Sequence, residues 1–287
     1  MSETGTGTSS VPAPLSVNKL RGAISTAAKS RGATVKRIQA LIGNVVVSQM
    51  LPDSAVKGGT GLKLRFGDRV TRETPDLDTA FRGDRDEFVD ELNERLAAGW
   101  GDFFGRAVAG EQRAPGDLLE RISAAYVMQP VRVRLTYRGK DFMSVDLEIG
   151  HDELEATTNE PVETQMSSEV LELFAELGLP EPAPVRVLPL HHQISQKIHA
   201  CTAPESDRAH DLVDLQLLVP QADPDMVRDT CVRLFRFRNE HAWPPVLVRG
   251  PGWEELYEEA AIGLDVRSLE DAVEWVNDYI QTLSPEP

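Results

Sequence analysis

Residues 57–78 read KGGTGLKLRFGDRVTRETPDLD and contain the two patterns on which the fold prediction rests. The turn Gly58-Gly59-Thr60 comes first. Glycine lets the backbone approach a phosphate closely, and a helix that begins there points its N–H groups at the anion. Asp76-Leu77-Asp78 follows in a predicted short strand, so both carboxylates leave the same face. Either pattern alone is common, but their order, with a third acid on a later strand, indicates a site for a phosphate and a metal.

The third acid is expected on a hairpin predicted over residues 131–149, where apolar and polar residues alternate along both strands. Asp146 and Glu148 lie on the polar face of its second strand. Asp146 is preferred over Glu148 because its neighbours Val145 and Leu147 look central in the strand. The sequence therefore predicts a third carboxylate on this polar face.

Acids this close repel one another unless a cation neutralises them. With Asp76, Asp78 and Asp146 as ligands, Mg²⁺ is the expected ion, because it prefers hard carboxylate oxygens and keeps water and phosphate ligands. Two such ions about 4 Å apart clamp the attacking and leaving oxygens of a phosphoryl transfer. We therefore expect a Mg²⁺ site, with two ions, that serves a phosphoryl transfer.

Another candidate residue lies beyond residue 190, where the apolar spacing is helical. Lys197 falls within the stripe formed by Ile194, Ile198 and Cys201, so it is spaced to point inward. A lysine that reaches a triphosphate stabilises charge on the leaving pyrophosphate. Asp211 is placed to pair with Lys197 and hold it. The alternative interpretation is a salt bridge between two helices of a bundle.

These patterns predict an α+β fold of two lobes. Residues 1–14 have the composition of a disordered tail. Residues 15–165 are predicted to form an α/β lobe, and residues 166–287 a mainly helical C-terminal lobe. Within the first lobe, helices are predicted over residues 84–110 and 117–125.

The net charge of −16 over 287 residues argues against a general nucleic-acid binder. Residues 1–52 nevertheless hold six basic residues and one acid. The basic N-terminal helices are therefore either the surface for an RNA end or an ordinary solvated helix face. In the first case, reversing Lys36 and Arg37 to Glu is expected to weaken RNA binding and to leave triphosphate binding unchanged. Arg132 and Arg134, on the polar face of the hairpin, either bind RNA phosphate or pair with the acids beside them. Pairing is preferred for at least one of the two.

The remaining composition excludes several classes of protein. No stretch reaches the roughly 18 apolar residues that a membrane helix needs, and the N-terminus does not resemble a secretory signal. The two cysteines, Cys201 and Cys231, are too few for a disulfide scaffold. A cytoplasmic, reduced protein is expected, and a monomer is the default.

A family resemblance rests on several of these motifs together. Residues 57–62 with residues 72–78 resemble the KGGTxL…RxSxDxD signature of AbiEii/AbiGii-type, MenT-like nucleotidyltransferase toxins, which belong to the DNA polymerase β-like superfamily. Thr74 stands at the serine of that signature and keeps the hydroxyl. Residues 193–200 and 208–215 resemble the family's third and fourth motifs. The resemblance spans roughly residues 35–220 and is specific in its combination of motifs.

The resemblance implies a role for each matching residue. Lys57, Gly58, Gly59, Thr60 and Lys197 would bind the nucleotide, with Lys197 on the triphosphate. Asp76 and Asp78 would be metal ligands, and Asp211 would support the site from the helical lobe. The implied fold is an N-terminal polymerase β-like mixed sheet with helices, followed by a C-terminal helical bundle.

The implied function is a Mg²⁺-dependent nucleotidyltransferase toxin. It would transfer NMP from NTP to an RNA acceptor, the 3′ end of tRNA, and so block translation and growth. A cognate antitoxin would be its partner. Two alternatives stay open: transfer to a protein or small molecule, and a catalytically inactive nucleotidyltransferase fold that acts as a binding module.

Overall fold

The computed structural model describes residues 11–111, 128–158 and 162–284. This part of the chain forms an α+β fold of ten α-helices and seven β-strands. The helices are α1 Val17–Ser30, α2 Val35–Ser48, α3 Gly58–Phe66, α4 Arg85–Ala98, α5 Ser168–Glu176, α6 Leu190–Cys201, α7 His210–Leu218, α8 Pro224–Arg238, α9 Trp253–Ala261 and α10 Leu269–Thr282. The strands are β1 Ala55–Lys57, β2 Leu77–Phe81, β3 Phe103–Ala109, β4 Gln129–Tyr137, β5 Lys140–His151, β6 Thr164–Gln165 and β7 Val185–Arg186.

The main sheet is mixed and has the strand order β1-β2-β5-β4-β3. Strands β2 and β5 are parallel, and the other neighbours are antiparallel. The predicted hairpin is present as β4 and β5. Its turn places Arg138 and Gly139 at φ +49° and +72°, which suits the right-handed twist of the two strands. The hairpin brings the polar face of β5 beside β2.

One face of the sheet is buried and the other is open. Val131, Val133 and Leu135 of β4 point into the first core, with Val145 and Leu147 of β5. Helices α1, α2 and α4 contribute their apolar stripes to the same core. The polar residues between these positions therefore lie on the open face, together with the predicted acids.

The second core is built from α6 to α10. Helix α3 lies between the two cores, since Leu64 packs in the first and Leu62 in the second. Helix α5, which the sequence assigns to the C-terminal lobe, packs in the first core through residues such as Leu173 and Phe174. The change from one core to the other therefore falls between β7 and α6.

One segment differs from the sequence predictions, and two lie outside the described residues. The helix expected over 84–110 ends at Ala98, and β3 follows it. Gly99 and Gly101 adopt φ of +81° and +56°, a left-handed conformation that favours glycine and ends the helix. The helix predicted at 117–125 lies outside the described residues, as do residues 1–10 of the predicted tail. Of the described helices, none combines the length and the apolar character needed to cross a membrane.

Candidate active site

The predicted acids come together on the open face, where β2 runs parallel to β5. Asp78 is in register with Glu148. Asp76 lies one residue before the start of β2. Continuing the same register by one residue from the pair Leu77–Leu147 places Asp76 opposite Asp146. The pKa of Asp76 is raised by burial and by repulsion from Asp78 and Asp146, with Arg72 opposing. The carboxylates are thus close enough to repel one another.

The two candidates for the third acid have different surroundings. Asp146 pairs with Arg132 at 2.8 Å, and both side chains are more than half exposed. Glu148 is half-buried. It lines both the interlobe cleft and a cavity over β4 and β5. Asp146 therefore faces Asp76 from the solvent side, while Glu148 faces the cleft.

The residues present fit a divalent cation. Carboxylate oxygens are the hard ligands that Mg²⁺ prefers. The pKa of Asp76 is raised first by burial and then by the charges of Asp78 and Asp146, which Arg72 does not fully offset. Asp76, Asp78 and a third acid from β5 would hold the ion.

Replacing Asp76 with Asn is expected to raise the melting temperature in EDTA by about 1–3 °C. The substitution removes the repulsion that raises the pKa of Asp76. A carboxyl whose pKa is raised by folding destabilises the protein above its folded pKa, and the penalty is absent below the unfolded value of 3.8. The gain should therefore vanish near pH 3 and be complete at neutral pH. Differential scanning fluorimetry measures it, with Asp90→Asn on α4 as the matched control. If Asp76→Asn had a lower melting temperature than the wild type at pH 7, the conclusion that Asp76 is repelled by its neighbours would be wrong.

The glycine turn forms the N-terminus of α3 directly beside Asp78. Gly58 has φ of +62° and a Cβ there would overlap Oδ2 of Asp78. A Cβ on Gly59 would lie 2.7 Å from Cγ2 of Thr74. Any side chain at either glycine would displace one of these neighbours. The two glycines therefore let the helix N-terminus, which attracts anions, approach the acids.

Thr60 holds the turn against the acid strand. Its hydroxyl donates to the carbonyl of Asp76 at 2.8 Å and accepts from Nδ2 of Asn44 at 2.9 Å. The side chain is fully buried. The Thr60 hydroxyl thus positions Asp76. The backbone N–H groups of the turn are the groups available to bind a phosphate. Lys57, which precedes the turn, lines the same cleft.

Lys197 is the centre of a buried ion cluster. Its Nζ donates to Oδ1 of Asp211 at 2.7 Å and to Oδ2 of Asp214 at 2.6 Å. Asp211 also accepts from Nε of Arg208 at 3.1 Å. Asp214 accepts from Nε of Arg72 at 3.1 Å, which links the first lobe to α7. Three cations and two anions give the cluster a net charge of about +1.

Lys197 and the two buried acids stay charged at neutral pH. Burial alone would lower the pKa of Lys197, but Asp211 and Asp214 outweigh burial and raise it. Burial likewise opposes ionisation of Asp211, yet Lys197 and Arg208 hold the pKa of Asp211 below its usual range. An ammonium has three donors, and two go to the carboxylates. The third is left for a ligand in the cleft, which Lys197 lines.

Sequence reasoning gave no role to Arg72 or Asp214. The available signal for Asp214 is its spacing, because Asp211 and Asp214 are three residues apart and share a face of α7. No spacing rule relates Arg72 to Asp214, since 142 residues separate them. The contact needs the lobes to be folded together.

One cleft of about 560 Å³ lies between the lobes, while Asp76 and Asp146 line the separate cavity over β4 and β5. The residues that line the cleft and carry the site are Lys57, Gly58, Asp78, Glu148, Lys197, Arg208 and Asp211. Arg238 of α8 closes one end by donating from Nε and Nη2 to the two carboxylate oxygens of Glu153, each at 2.8 Å. Gln196 donates to the same carboxylate at 2.8 Å. The cleft is thus bordered by acids on one side and cations on the other.

A His–Glu–His group lies at the closed end. His199, Glu240 and His241 each offer one ligand atom, and these atoms lie within 4.8 Å of one another. Arg238 donates from Nη1 to Nδ1 of His199 at 3.1 Å. Burial and Arg238 lower the pKa of His199 to about 3, so the ring is neutral and its one proton is on Nε2, the atom that faces the group. A metal ion would have to displace that proton, so we assign the group to the polar lining of the cleft.

The basic N-terminal helices lie on the opposite side of the sheet from the acids. Gly43 of α2 packs so closely on the buried face that a Cβ would lie 2.6 Å from Sδ of Met143. Arg21 donates to two backbone carbonyls of β5 at 3.0 Å. Arg37 pairs with Asp68 at 2.8 Å. The acceptor surface predicted on these helices therefore lies across the sheet from the acids, and it stays a prediction, since Lys29 and Lys36 are exposed on them.

Comparison with known proteins gave matches to a family and to solved structures. The family model described as "Nucleotidyl transferase AbiEii toxin, Type IV TA system" matches residues 40–278. The nucleotidyltransferase toxin MenT4 from Mycobacterium tuberculosis is 18% identical; the match covers 92% of this chain and 99% of that one, with a TM-score of 0.48. JHP933 from Helicobacter pylori is 16% identical; the match covers 85% and 88% of the two chains, with a TM-score of 0.41. The comparison with curated proteins gave no match.

Proposed function

We propose, from the premise that this chain belongs to the AbiEii nucleotidyl transferase toxin family of type IV toxin–antitoxin systems, that it transfers NMP from an NTP to an RNA acceptor. The expected acceptor is the 3′ end of tRNA. The observation that carries the proposal is the convergence on one cleft of Asp78, the N-terminus of α3 at Gly58, and the cationic cluster around Lys197.

The triphosphate is proposed to bind between the two lobes. Backbone N–H groups at Gly58, Gly59 and Thr60 point along the start of α3, where the helix dipole favours an anion. Lys57 and Lys197 line the same cleft and supply positive charge from opposite sides. Recognition of the phosphates therefore depends on the backbone of the turn and on two lysines.

Asp76, Asp78 and a third acid from β5, Asp146 as first choice, are proposed to hold Mg²⁺. Bound Mg²⁺ would supply Lewis-acid stabilisation of charge on the attacking and leaving oxygens. The carboxylates would hold the ion beside the helix N-terminus, where the phosphates are proposed to bind. Glu148 is the alternative third ligand, because it is in register with Asp78.

The reaction forms one P–O bond and breaks another. The acceptor hydroxyl oxygen attacks the α-phosphorus and its proton passes to water, while the bond from the α-phosphorus to the bridging oxygen breaks and pyrophosphate leaves. Negative charge grows on the leaving group. Lys197 and Arg208 both donate to Asp211, which fixes their positions. They therefore stabilise the charge on the leaving group without reorganising during the step.

The biological consequence follows from the acceptor. Added nucleotides on the 3′ end of tRNA would prevent aminoacylation, so translation and growth would stop. The family implies an antitoxin as a partner, and we propose that it neutralises the toxin in the cytoplasm. We take the active species to be a monomer.

A transfer assay tests this function. Purified protein is mixed with Mg²⁺, each α-labelled NTP in turn, and total cellular RNA together with a cell extract. We expect label in tRNA, lost with EDTA and in the Asp78→Ala variant. The preferred base is read from which NTP gives label.

The other outcomes separate the alternatives. Label in protein or in a small molecule would replace the RNA acceptor while keeping the nucleotidyltransferase. No label anywhere, and no thermal stabilisation by Mg²⁺ with any NTP, would favour an inactive binding module. Circular dichroism of the Asp78→Ala variant confirms that loss of label is not loss of folding.

A further inference from the structure

Three arginines lie side by side on the open face of the sheet. Arg106 of β3 is in register with Arg134 of β4. Arg132, two residues before Arg134, is in register with Asp146 of β5. Residues in register share a face of the sheet, so all three arginines lie on the face that carries the acids.

Two of these arginines face each other without a counter-charge among the described residues. Arg106 and Arg134 are both exposed. Within residues 11–111, 128–158 and 162–284, neither makes an ion pair or a side-chain hydrogen bond, whereas Arg132 pairs with Asp146. Like charges directly opposite each other destabilise a sheet. In a chain of net charge −16, this local excess of positive charge is complementary to an anionic partner.

Apolar side chains flank the arginines on the edge strand. Phe104 and Val108 lie two residues to either side of Arg106 on β3 and are 41% and 44% exposed. An exposed aromatic ring between cations offers a surface on which a base stacks while the guanidinium groups hold phosphates. This combination fits a single-stranded nucleic acid better than an acidic protein segment, which offers no bases to stack.

The arginines are close to the acids. Strands lie about 4.8 Å apart, so β4 is about 10 Å and β3 about 15 Å from the strand of Asp76. A cavity of about 720 Å³ begins next to Arg106 and Arg134, at their strand neighbours Val108 and Arg132, and is also lined by Asp76 and Asp146. A chain that lies over Arg106 and Arg134 therefore reaches the acids with its end.

We propose that the face formed by Phe104, Arg106 and Arg134 binds the backbone phosphates of the acceptor RNA, just upstream of its reacting 3′ hydroxyl. This inference rests on the proposed function, and it replaces the basic N-terminal helices as the acceptor surface. Arg132 extends the surface toward the acids through its pair with Asp146.

The test compares two double variants that remove the same charge. Arg106→Gln with Arg134→Gln removes the surface. Lys29→Gln with Lys36→Gln removes two exposed cations from the helices on the other side of the sheet. Fluorescence anisotropy measures the Kd of each for labelled tRNA over a range of salt, and a labelled-NTP assay measures kcat and KM.

We expect the arginine double variant to raise the Kd for tRNA about tenfold or more and to reduce the slope of log K against log salt by about 1.5 to 2. Its KM for RNA should rise while KM for NTP stays within about twofold. The lysine double variant should match the wild type. Phe104→Leu should weaken RNA binding with no change in the salt slope, since it removes only the stacking ring.

Three outcomes would overturn the proposal. If the arginine variant and the wild type have equal Kd and equal salt slope, this face does not bind the RNA. The proposed nucleotidyltransferase activity would be unaffected by that result. An equal loss of tRNA affinity in the lysine double variant would show that the effect comes from net charge and not from this surface. Wild-type protein that binds no RNA, but is stabilised by NTP with Mg²⁺, would reject the surface and the RNA acceptor together and keep the nucleotidyltransferase.

Discussion

Replacing Asp78 with Asn is expected to lower the nucleotide transfer rate by about 10³-fold or more while the protein stays folded. Asp78 lies beside the N-terminus of α3, where Gly58 leaves no room for a side chain. It is also in register with Glu148. The amide keeps the shape of the side chain but removes the charge that a cation needs. A 10³-fold loss corresponds to about 4 kcal/mol of transition-state stabilisation.

The same assay separates the two candidates for the third acid. Asp146→Asn and Glu148→Gln are compared with Asp141→Asn, which changes an exposed acid near the turn of the same hairpin. Replacing the true third ligand should lower the transfer rate at least about 10²-fold and raise the Mg²⁺ concentration needed for activity. Replacing the other acid should lower the rate much less. If the Asp78→Asn variant kept more than a tenth of the wild-type rate, Asp78 would not be a metal ligand.

The parts of the fold that the sequence predicted are those encoded by local patterns. The hairpin of β4 and β5 follows from strict alternation, and the glycine turn beside Asp78 follows from the short spacing between Gly58 and the acid strand. A side-chain period of 2 decides which face each residue takes. These rules act over a few residues, so one sequence suffices to apply them.

The parts that the sequence did not predict depend on contacts between distant segments. The helix predicted over 84–110 includes β3, because the prediction does not treat the two glycines at 99 and 101 as a helix stop. The pair Arg72–Asp214 and the pair Glu153–Arg238 join the two lobes. The facing pair Arg106–Arg134 depends on the register of β3 on β4. None of these has a spacing signature, because tertiary packing creates them.

The second large effect is expected at Lys197, where substitution should affect both stability and activity. The Lys197 side chain is 8% exposed, and the carboxylates of Asp211 and Asp214 are 0% and 2% exposed. Replacing Lys197 with Met leaves both carboxylates buried, although each keeps one arginine. Removing one partner of a buried ion pair costs about 3–5 kcal/mol, and the remaining arginines place the expected cost near 3 kcal/mol. The melting temperature should fall by about 6–12 °C.

The pH dependence of this destabilisation identifies its source. Lys197 has a raised pKa in the folded state, so its contribution is complete below its unfolded pKa of 10.5 and is lost as pH rises through the folded value. Asp211 and Asp214 have lowered pKa values, so their contribution is complete above 3.8 and is lost as pH falls through the folded values. The difference between wild type and Lys197→Met should therefore be constant between about pH 5 and 9. Urea titrations at pH 5, 7 and 9 measure it.

A second substitution separates the structural role of Lys197 from its proposed role on the triphosphate. Lys197→Met combined with Asp211→Asn restores the net charge of the cluster, because one cation and one anion are removed together. Arg208 then loses its partner, but it is 47% exposed and can be solvated. Stability should recover by about 1–2 kcal/mol, since one buried carboxylate is no longer left with a single cation. Transfer, measured well below the melting temperature, should stay at least about 10²-fold below wild type, because no ammonium faces the leaving pyrophosphate. If activity instead returned with stability, Lys197 would be an interhelical ion pair and nothing more, and the triphosphate would have to be held by Lys57 and the N-terminus of α3.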